Sequence, residues 1–93
     1  MLPVDTPPQP TDFQVSTQDS INYDLSWDVG DPTVVNYYRI YTQVLIPFVG
    51  ERTDTTSSTS AQVNLGAKLP VQFCVSSVTF QNVESGRTCK SVE

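Results

Sequence analysis

The stretch 21–27 alternates apolar and polar side chains without a break. Its apolar positions share one face and are Ile21, Tyr23, Leu25 and Trp27. A period of two is typical of a β-strand with one face buried and the other in water. Burying these side chains contributes roughly 1.5–3 kcal/mol each, and Trp27 is the largest of them. This segment is therefore predicted to be the core strand against which the rest of the chain packs.

Five further segments have strand-like patterning and are separated by turn-forming residues. They are Asp12–Ser16, Val34–Tyr41, Ala61–Leu65, Val71–Val78 and a last strand that includes Thr88, Cys89 and Val92. No segment has a helical period. A chain of 93 residues fits one domain. About seven short strands with a turn signal every 8 to 12 residues or so favour an all-β sandwich.

Charge and hydropathy exclude several partner classes. Ten acidic residues against five basic ones give a net charge of −5, which repels phosphate backbones and anionic membrane surfaces. No apolar run approaches the roughly 20 residues of a transmembrane helix. Asp28 and Asp31 could suggest calcium, but two carboxylates fall short of its six or more oxygen ligands, so a turn is predicted. We expect no nucleic-acid partner and no direct membrane insertion.

The residues that usually perform catalysis are scarce. The chain has no histidine, which removes the usual general base, the Ser-His-Asp triad and the commonest zinc ligand. Two cysteines without histidine do not make a structural zinc site, and there is no glycine-rich phosphate loop. The sequence therefore predicts a protein that is not an enzyme, with no catalytic residues, no metal and no cofactor.

One candidate partner contact lies in the segment Val34–Tyr41. If Tyr38 and Ile40 point inward, then Tyr37, Arg39 and Tyr41 lie together on the outer face, where an arginine can stack on tyrosine rings. Tyrosine and arginine are favoured interface anchors, so this row is predicted to contact a partner. The alternative is ordinary cross-strand pairing on a solvated sheet.

A second candidate is the apolar segment Val44–Val49. Its proposed contact residues are Val44, Leu45, Ile46 and Phe48. Pro47 argues against a central strand because it removes a donor from the ladder. The segment is predicted either to be exposed and contact a partner, or to fold back over the open end of the core. The run Thr53–Ser60 that follows has no apolar anchor and is predicted to be a mobile connection.

The first ten residues include four prolines and are predicted to be an extended linker or lead-in, followed by one domain over residues 11–93. The start of the chain lacks the basic end and apolar run of a signal peptide. We expect the chain to be a module of a larger protein, with any secretion signal elsewhere in that parent chain.

From Pro10 to its end the sequence resembles a fibronectin type III domain. Pro10–Val15 is similar to the first strand of the family, and Leu25-Ser26-Trp27 places a core tryptophan on the second strand, where immunoglobulin domains have it on the third. Val35–Tyr41 resembles the third strand, with Tyr38 as its core tyrosine. Val75–Val78, followed by Glu84 and Ser85, is similar to the sixth strand and its turn. The resemblance implies a seven-stranded antiparallel immunoglobulin-like β-sandwich of fibronectin type III type.

The sequence departs from the family at the tyrosine corner. The family usually has a leucine followed six residues later by a tyrosine, but counting from Leu65 arrives at Val71. A hydrogen bond of roughly 1 kcal/mol is expected to be lost with it. The Arg-Gly-Asp motif that binds integrins and the Trp-Ser-x-Trp-Ser motif of cytokine receptors are also absent.

The two cysteines are candidates to compensate for this loss. A hairpin centred between Gln81 and Asn82 sets Cys74 opposite Cys89 on adjacent strands, within reach of a disulfide. Such a bond indicates an oxidising compartment, and the alternative is two unpaired thiols in a cytosolic protein. The same register turns Lys90 toward the core, so Lys90 must reach out to solvent or a bulge must shift the strand.

These observations predict a non-catalytic, extracellular module, either secreted or at the cell surface. It is expected to be a monomer that spaces neighbouring domains of its parent chain, binds another protein, or does both. The alternative is an accessory module of a secreted carbohydrate-active enzyme such as a glycoside hydrolase, since modules of this family often lie beside such catalytic domains.

Overall fold

The structure is a computed structural model that describes residues 7–19, 21–45, 51–66, 68 and 70–92. Its strands are β1 (Thr11–Thr17), β2 (Asn22–Asp28), β3 (Val35–Val44), β4 (Glu51–Thr56), β5 (Ser60–Asn64), β6 (Val71–Thr79) and β7 (Thr88–Val92). A short 3-10 helix, Pro32–Val34, precedes β3. Within these ranges, no helix is long and apolar enough to cross a membrane.

The strands form two sheets that pack as a sandwich. One sheet has the order β1-β2-β5 and the other β4-β3-β6-β7, and every pair of neighbours is antiparallel. The core lies between the two sheets and draws apolar side chains from both. The predicted antiparallel immunoglobulin-like sandwich is confirmed.

Strand β2 is the core strand that its alternation predicted. Tyr23, Leu25 and Trp27 are buried and the residues between them are exposed. The Trp27 indole meets the rings of Phe13 and Tyr38 edge-on, with centroids 6.3 and 5.5 Å away. Edge-to-face aromatic packing adds about 0.5–1.5 kcal/mol beyond burial. Trp27 therefore joins β1, β2 and β3, and Tyr38 has the core position predicted for it.

Strand β6 supplies the facing layer of the core. Its inner row of Val71, Phe73, Val75 and Ser77 is fully buried, as the sequence predicts. The Phe73 ring lies 5.1 Å from that of Tyr23 on the opposite sheet. Since β6 is flanked by β3 and β7, it has no free edge and is buried along almost its whole length.

The prediction of a mobile connection over Thr53–Ser60 is wrong. Residues 51–56 form β4, which pairs with β3 from Tyr38 to Gln43, and Ser60 already belongs to β5. Threonine suits a half-exposed edge strand, and backbone hydrogen bonds to β3 hold β4 without an apolar anchor. Only the bend at residues 57–59 connects β4 to β5.

Two aspartates close turns through backbone hydrogen bonds. Asp31 accepts from the backbone N–H of Thr33 at 3.1 Å and caps the 3-10 helix, which confirms the predicted turn. Asp19 accepts from the N–H groups of Ile21 and Asn22 at 2.9 and 2.8 Å in the β1–β2 turn. These bonds favour the charged carboxylate and lower the pKa of Asp19 from 3.8 to about 2.

The proline-rich residues 7–10 are hydrogen-bonded to the second sheet. The Ser77 hydroxyl donates to the carbonyl of Pro8, and the Thr88 hydroxyl donates to that of Pro10, each at 2.5 Å. This part of the lead-in is therefore fixed to β6 and β7. The division of the chain at residue 10 stays a prediction.

Candidate functional site

The outer face of the four-stranded sheet carries the row that the sequence singled out. Tyr37, Arg39 and Tyr41 alternate on β3, and Arg39 lies between Thr55 of β4 and Ser76 of β6. Arg39 Nη2 donates to the Tyr37 hydroxyl at 3.2 Å, and its guanidinium carbon is 5.8 Å from the centre of that ring. The predicted contact between arginine and tyrosine is confirmed.

Glu84 organises this face, although the sequence did not single it out for a role there. Its Oε1 accepts from Arg39 Nη1 at 3.1 Å. Its Oε2 accepts from the Ser76 hydroxyl at 2.5 Å and from the Tyr41 hydroxyl. An isolated bridge between Glu84 and Val78 brings the carboxylate to the sheet. One side chain thus ties β3 and β6 to the connection that follows β6.

The environment of Glu84 keeps its carboxylate charged. Burial by itself raises the pKa of this group, because it disfavours the ion. Hydrogen bonds from Ser76 and Tyr41 and the positive charges of Arg39 and Arg87 outweigh burial, so the pKa of Glu84 is lowered. At neutral pH the carboxylate is therefore ionised and accepts all three hydrogen bonds.

Arg87 covers the Tyr41 end of the row. Its guanidinium lies 3.5 Å from the centre of the Tyr41 ring, and its Nη1 is 3.4 Å from Glu51 Oε2 at the start of β4. Tyr41 is consequently only 5% exposed, whereas Tyr37 and Arg39 are half-buried. Tyr41 is therefore buried under Arg87. Partner contact by the row stays a prediction.

The disulfide lies beside this cluster. Cys74 and Cys89 are opposite each other on β6 and β7 and are bonded, with 2.04 Å between the sulfurs. The predicted disulfide is confirmed. Cys74 is also the cross-strand neighbour of Tyr41. Register between β6 and β7 is unbroken, so Lys90 lies opposite buried Phe73 and reaches solvent from the edge strand, the first of the two predicted solutions.

No protein-family model matches the sequence, and no curated protein is significantly similar to it. Solved structures do match. The structure of a myokine is 19% identical in sequence and has a TM-score of 0.79, and the match covers 95% of this chain and 97% of the myokine chain.

Two fibronectin type III domains of named proteins superpose on it in the same way. The domain of the human collagen alpha-1(XX) chain is 12% identical, covers 99% of this chain and 89% of its own, and has a TM-score of 0.77. The fifth such domain of Drosophila Lar is 16% identical and has a TM-score of 0.69, and the match covers 94% of this chain and 97% of the Lar domain. The chain has the fibronectin type III fold. At these identities the similarity shows that fold alone.

The second predicted contact, the apolar segment Val44–Val49, is described only at its start. Val44 ends β3 and is buried, and Leu45 is exposed with its N–H donating to the carbonyl of Pro70 at 2.9 Å. Ile46 and Phe48 lie outside the described residues. Partner contact by this segment and self-burial of it both stay predictions.

At the end of the sandwich opposite to Val44, the fibronectin type III fold has exposed apolar side chains that sequence reasoning missed. Phe80 is 63% exposed in the β6–β7 turn, and Val83 and Val34 are exposed nearby. Val34 and Phe80 lie next to the paired residues Val35 and Thr79. A phenylalanine directly before the turn residues Gln81 and Asn82 was the available signal.

The chemistry of the outer face is that of a fixed surface. The Glu84 carboxylate and the guanidinium groups of Arg39 and Arg87 are all engaged with one another or with tyrosines. Across the described ranges, no three His, Cys, Asp or Glu side chains are grouped to hold a metal ion. What the arrangement can do is present Tyr37 and Arg39 in one orientation.

Proposed function

We propose that this chain, which has the fibronectin type III fold, is a non-catalytic extracellular module. It spaces neighbouring domains and binds another protein through the outer face of its four-stranded sheet. The observation that carries the proposal is the half-buried pair of Tyr37 and Arg39, held in place by Glu84. Tyrosine and arginine dominate the energetics of many protein interfaces.

Preorganisation makes this pair suitable for binding. Immobilising a flexible side chain at an interface costs about 0.5–1.5 kcal/mol. Arg39 is already fixed by Glu84 and by the Tyr37 hydroxyl, so most of that cost is met within the domain. A partner with an acidic or aromatic group would gain contacts with Arg39 and Tyr37 at a low ordering cost.

The spacer role is supported by the positions of the first and last strands. β1 starts beside Asp28, at the end where β2 finishes, whereas β7 finishes beside Val71, where β6 starts. The short connection from β2 to β3 puts the start of β1 at the end of the sandwich where β3 begins and β6 finishes. The two points therefore lie at opposite ends of the sandwich. Neighbouring domains attached there would be separated by the length of the module, and the hydrogen-bonded residues 7–10 would fix the angle of a preceding one.

The compartment is inferred from the disulfide. Disulfides persist in secreted and cell-surface proteins and are rare in the reducing cytosol. The bond between Cys74 and Cys89 therefore supports an extracellular location. The three similar structures described above do not favour an accessory role beside a glycoside hydrolase.

A photo-crosslinking amino acid at position 37 tests the binding face in the parent protein on intact cells. The matched control carries the same group at Gln62, an exposed residue of β5 on the other sheet. We expect a discrete adduct from position 37 that excess unlabelled domain competes away and that Arg39→Ala removes. Equal labelling from both positions, or none from position 37, would refute binding through this face.

A further inference from the structure

An apolar patch lies at the end of the sandwich where β6 finishes and β3 begins. This end patch consists of Val34, Phe80 and Val83, which are 38%, 63% and 37% exposed. The pairing of Val35 with Thr79 brings Val34 and Phe80 side by side. The Thr79 N–H donates to the Val83 carbonyl at 3.0 Å, which adds Val83 to the group. Exposed apolar side chains that are grouped in this way usually mark a contact surface.

The β6–β7 turn holds Phe80 outward. Thr79 is only 2% exposed, and its hydroxyl accepts from the N–H groups of Gln81 and Val83 at 3.3 and 3.2 Å. Its carbonyl accepts from the Asn82 N–H at 3.0 Å. Because these bonds close the turn on a buried residue, Phe80 is presented in a fixed direction. A partner that binds it would therefore have little backbone to order.

The proline-rich lead-in runs along β6 in the direction of the end patch. The Pro10 carbonyl accepts from Thr88, which pairs with Val75 of β6. The Pro8 carbonyl accepts from Ser77, two residues nearer the end of that strand. Followed backward from residue 10 to residue 8, the chain therefore advances toward the end patch.

The lead-in is fixed in this direction. Pro7 and Pro10 are buried, and Gln9 Nε2 donates to the Arg87 carbonyl at 3.0 Å and to the Thr88 hydroxyl at 3.2 Å. Proline rings restrict the backbone and favour an extended, semi-rigid chain. A domain joined to the module through this lead-in would be directed to the end of the sandwich that carries the end patch.

The charged side chains next to the end patch are acidic. Asp28 ends β2, Asp31 caps the 3-10 helix that contains Val34, and both aspartates are exposed. The nearest arginines of the described chain, Arg39 and Arg87, are engaged with glutamates and tyrosines on the outer face. The end patch is therefore complementary to a surface that has an apolar centre and a basic rim.

We propose that the domain that precedes this one in the parent chain packs against the end patch and receives Phe80 in an apolar pocket with a basic rim. Interfaces between domains of one chain bury roughly 600–1,500 Å². The end patch supplies the apolar centre of such an interface, and the acidic β2–β3 turn supplies part of its rim. The inference rests on the proposed function, since it names the surface through which the spacer contacts its first neighbour.

Photo-crosslinking within the parent protein tests this contact. Phe80 is replaced by p-benzoylphenylalanine, which keeps the aromatic ring. The matched control carries the same group at Leu45, which is exposed at the opposite end of the sandwich. We expect mass spectrometry to find position 80 joined to a peptide that precedes Met1 in the same polypeptide, and no such link from position 45.

Phe80→Ser tests whether the contact holds the joint closed. The side chain is mostly exposed, so the isolated variant should keep the wild-type melting temperature. In the parent protein, we expect thermolysin to cut at Leu2 or Val4 at least about tenfold faster in the variant, because cleavage follows the population of the opened joint. Asp28→Lys should also raise the rate, since it opposes a basic rim, and the matched Leu45→Ser should not.

Several outcomes would overturn the inference. A preceding domain that is present but is not linked to position 80 would refute the contact and leave the spacer role intact. Links from position 80 to residues 1–6, to a second copy of the chain or to a separate protein would assign the end patch to that occupant instead. Faster cleavage of Phe80→Ser in the isolated chain of 93 residues would show that the lead-in itself covers the end patch.

The failure of this inference is distinguishable from the failure of the proposed function. A parent protein with no domain ahead of this one would refute both the contact and the spacing of neighbouring domains. Crosslinking from position 37 reports on the outer face of the sheet and does not involve the end patch, so binding through that face is tested independently.

Discussion

Breaking the bond between Cys74 and Cys89 is expected to lower the free energy of unfolding by about 3 kcal/mol. The two cysteines are 15 residues apart, and the bond restricts a loop of that length in the unfolded chain. At about 4–8 °C per kcal/mol for a domain of this size, the melting temperature should fall by roughly 12–24 °C. That is a large part of the margin of a small sandwich.

Urea unfolding followed by Trp27 fluorescence measures this loss, since Trp27 is buried in the native core. The oxidised protein is compared with the Cys74→Ala/Cys89→Ala double variant and with the reduced wild type. Reductant should have no effect on the double variant, which controls for other actions of the reagent. The slope of the transition should be smaller for the oxidised protein, because its cross-linked unfolded state is more compact.

A loss below about 1 kcal/mol in both comparisons would contradict the chain-entropy reasoning. It would mean that the β6–β7 hairpin is already ordered in the reduced, unfolded chain. If the unfolding transitions have equal slopes and the loss is still about 3 kcal/mol, the disulfide would instead act by stabilising the folded state. Hydrogen exchange of β7 amides then distinguishes local opening of the edge strand from global unfolding.

Three further changes test other parts of the structure. Glu84→Gln should lower the free energy of unfolding by about 1–2 kcal/mol in urea. Because folding lowers the pKa of Glu84, the stabilisation by its carboxylate should be fully present above pH 4.5 and lost as the pH falls below that value, and the variant should lack this pH dependence. Asp19 should titrate near pH 2 by carboxyl NMR, with its stabilisation present above 3.8 and lost toward 2, and Asp19→Asn should remove that step. Trp27→Ala should cost about 3–5 kcal/mol in circular-dichroism melts, against less than about 1 kcal/mol for the exposed Ser26→Ala.

The parts of the fold that the sequence predicts are those with a local signal. The alternation of β2 and the symmetry of the β6–β7 hairpin are properties of neighbouring residues, so both the core strand and the disulfide follow from spacing. Strand β4 has no such signal, because its residues are polar on both faces. It is a strand only because β3 offers a ladder to it, which is tertiary information.

The candidate site divides in the same way. The shared face of Tyr37, Arg39 and Tyr41 follows from a period of two, but the depth of each residue does not. Tyr41 is covered by Arg87, and Arg39 is fixed by Glu84, which is 45 residues away. Contacts of that separation depend on how the connection after β6 returns to the sheet, and no local pattern encodes it.

The connection between β5 and β6, which lacks the tyrosine corner, is bonded through the main chain at both of its ends. The connection between β5 and β6 is held on both sides by backbone hydrogen bonds of 2.9 Å, from Leu65 N–H to the Ile21 carbonyl and from Leu45 N–H to the Pro70 carbonyl. Each contributes about 0.5–1.5 kcal/mol, comparable with the lost tyrosine bond. The second bond lies directly before Val71, where the corner tyrosine would be. These bonds hold both ends of the connection, and compensation for the missing tyrosine by the disulfide stays a prediction.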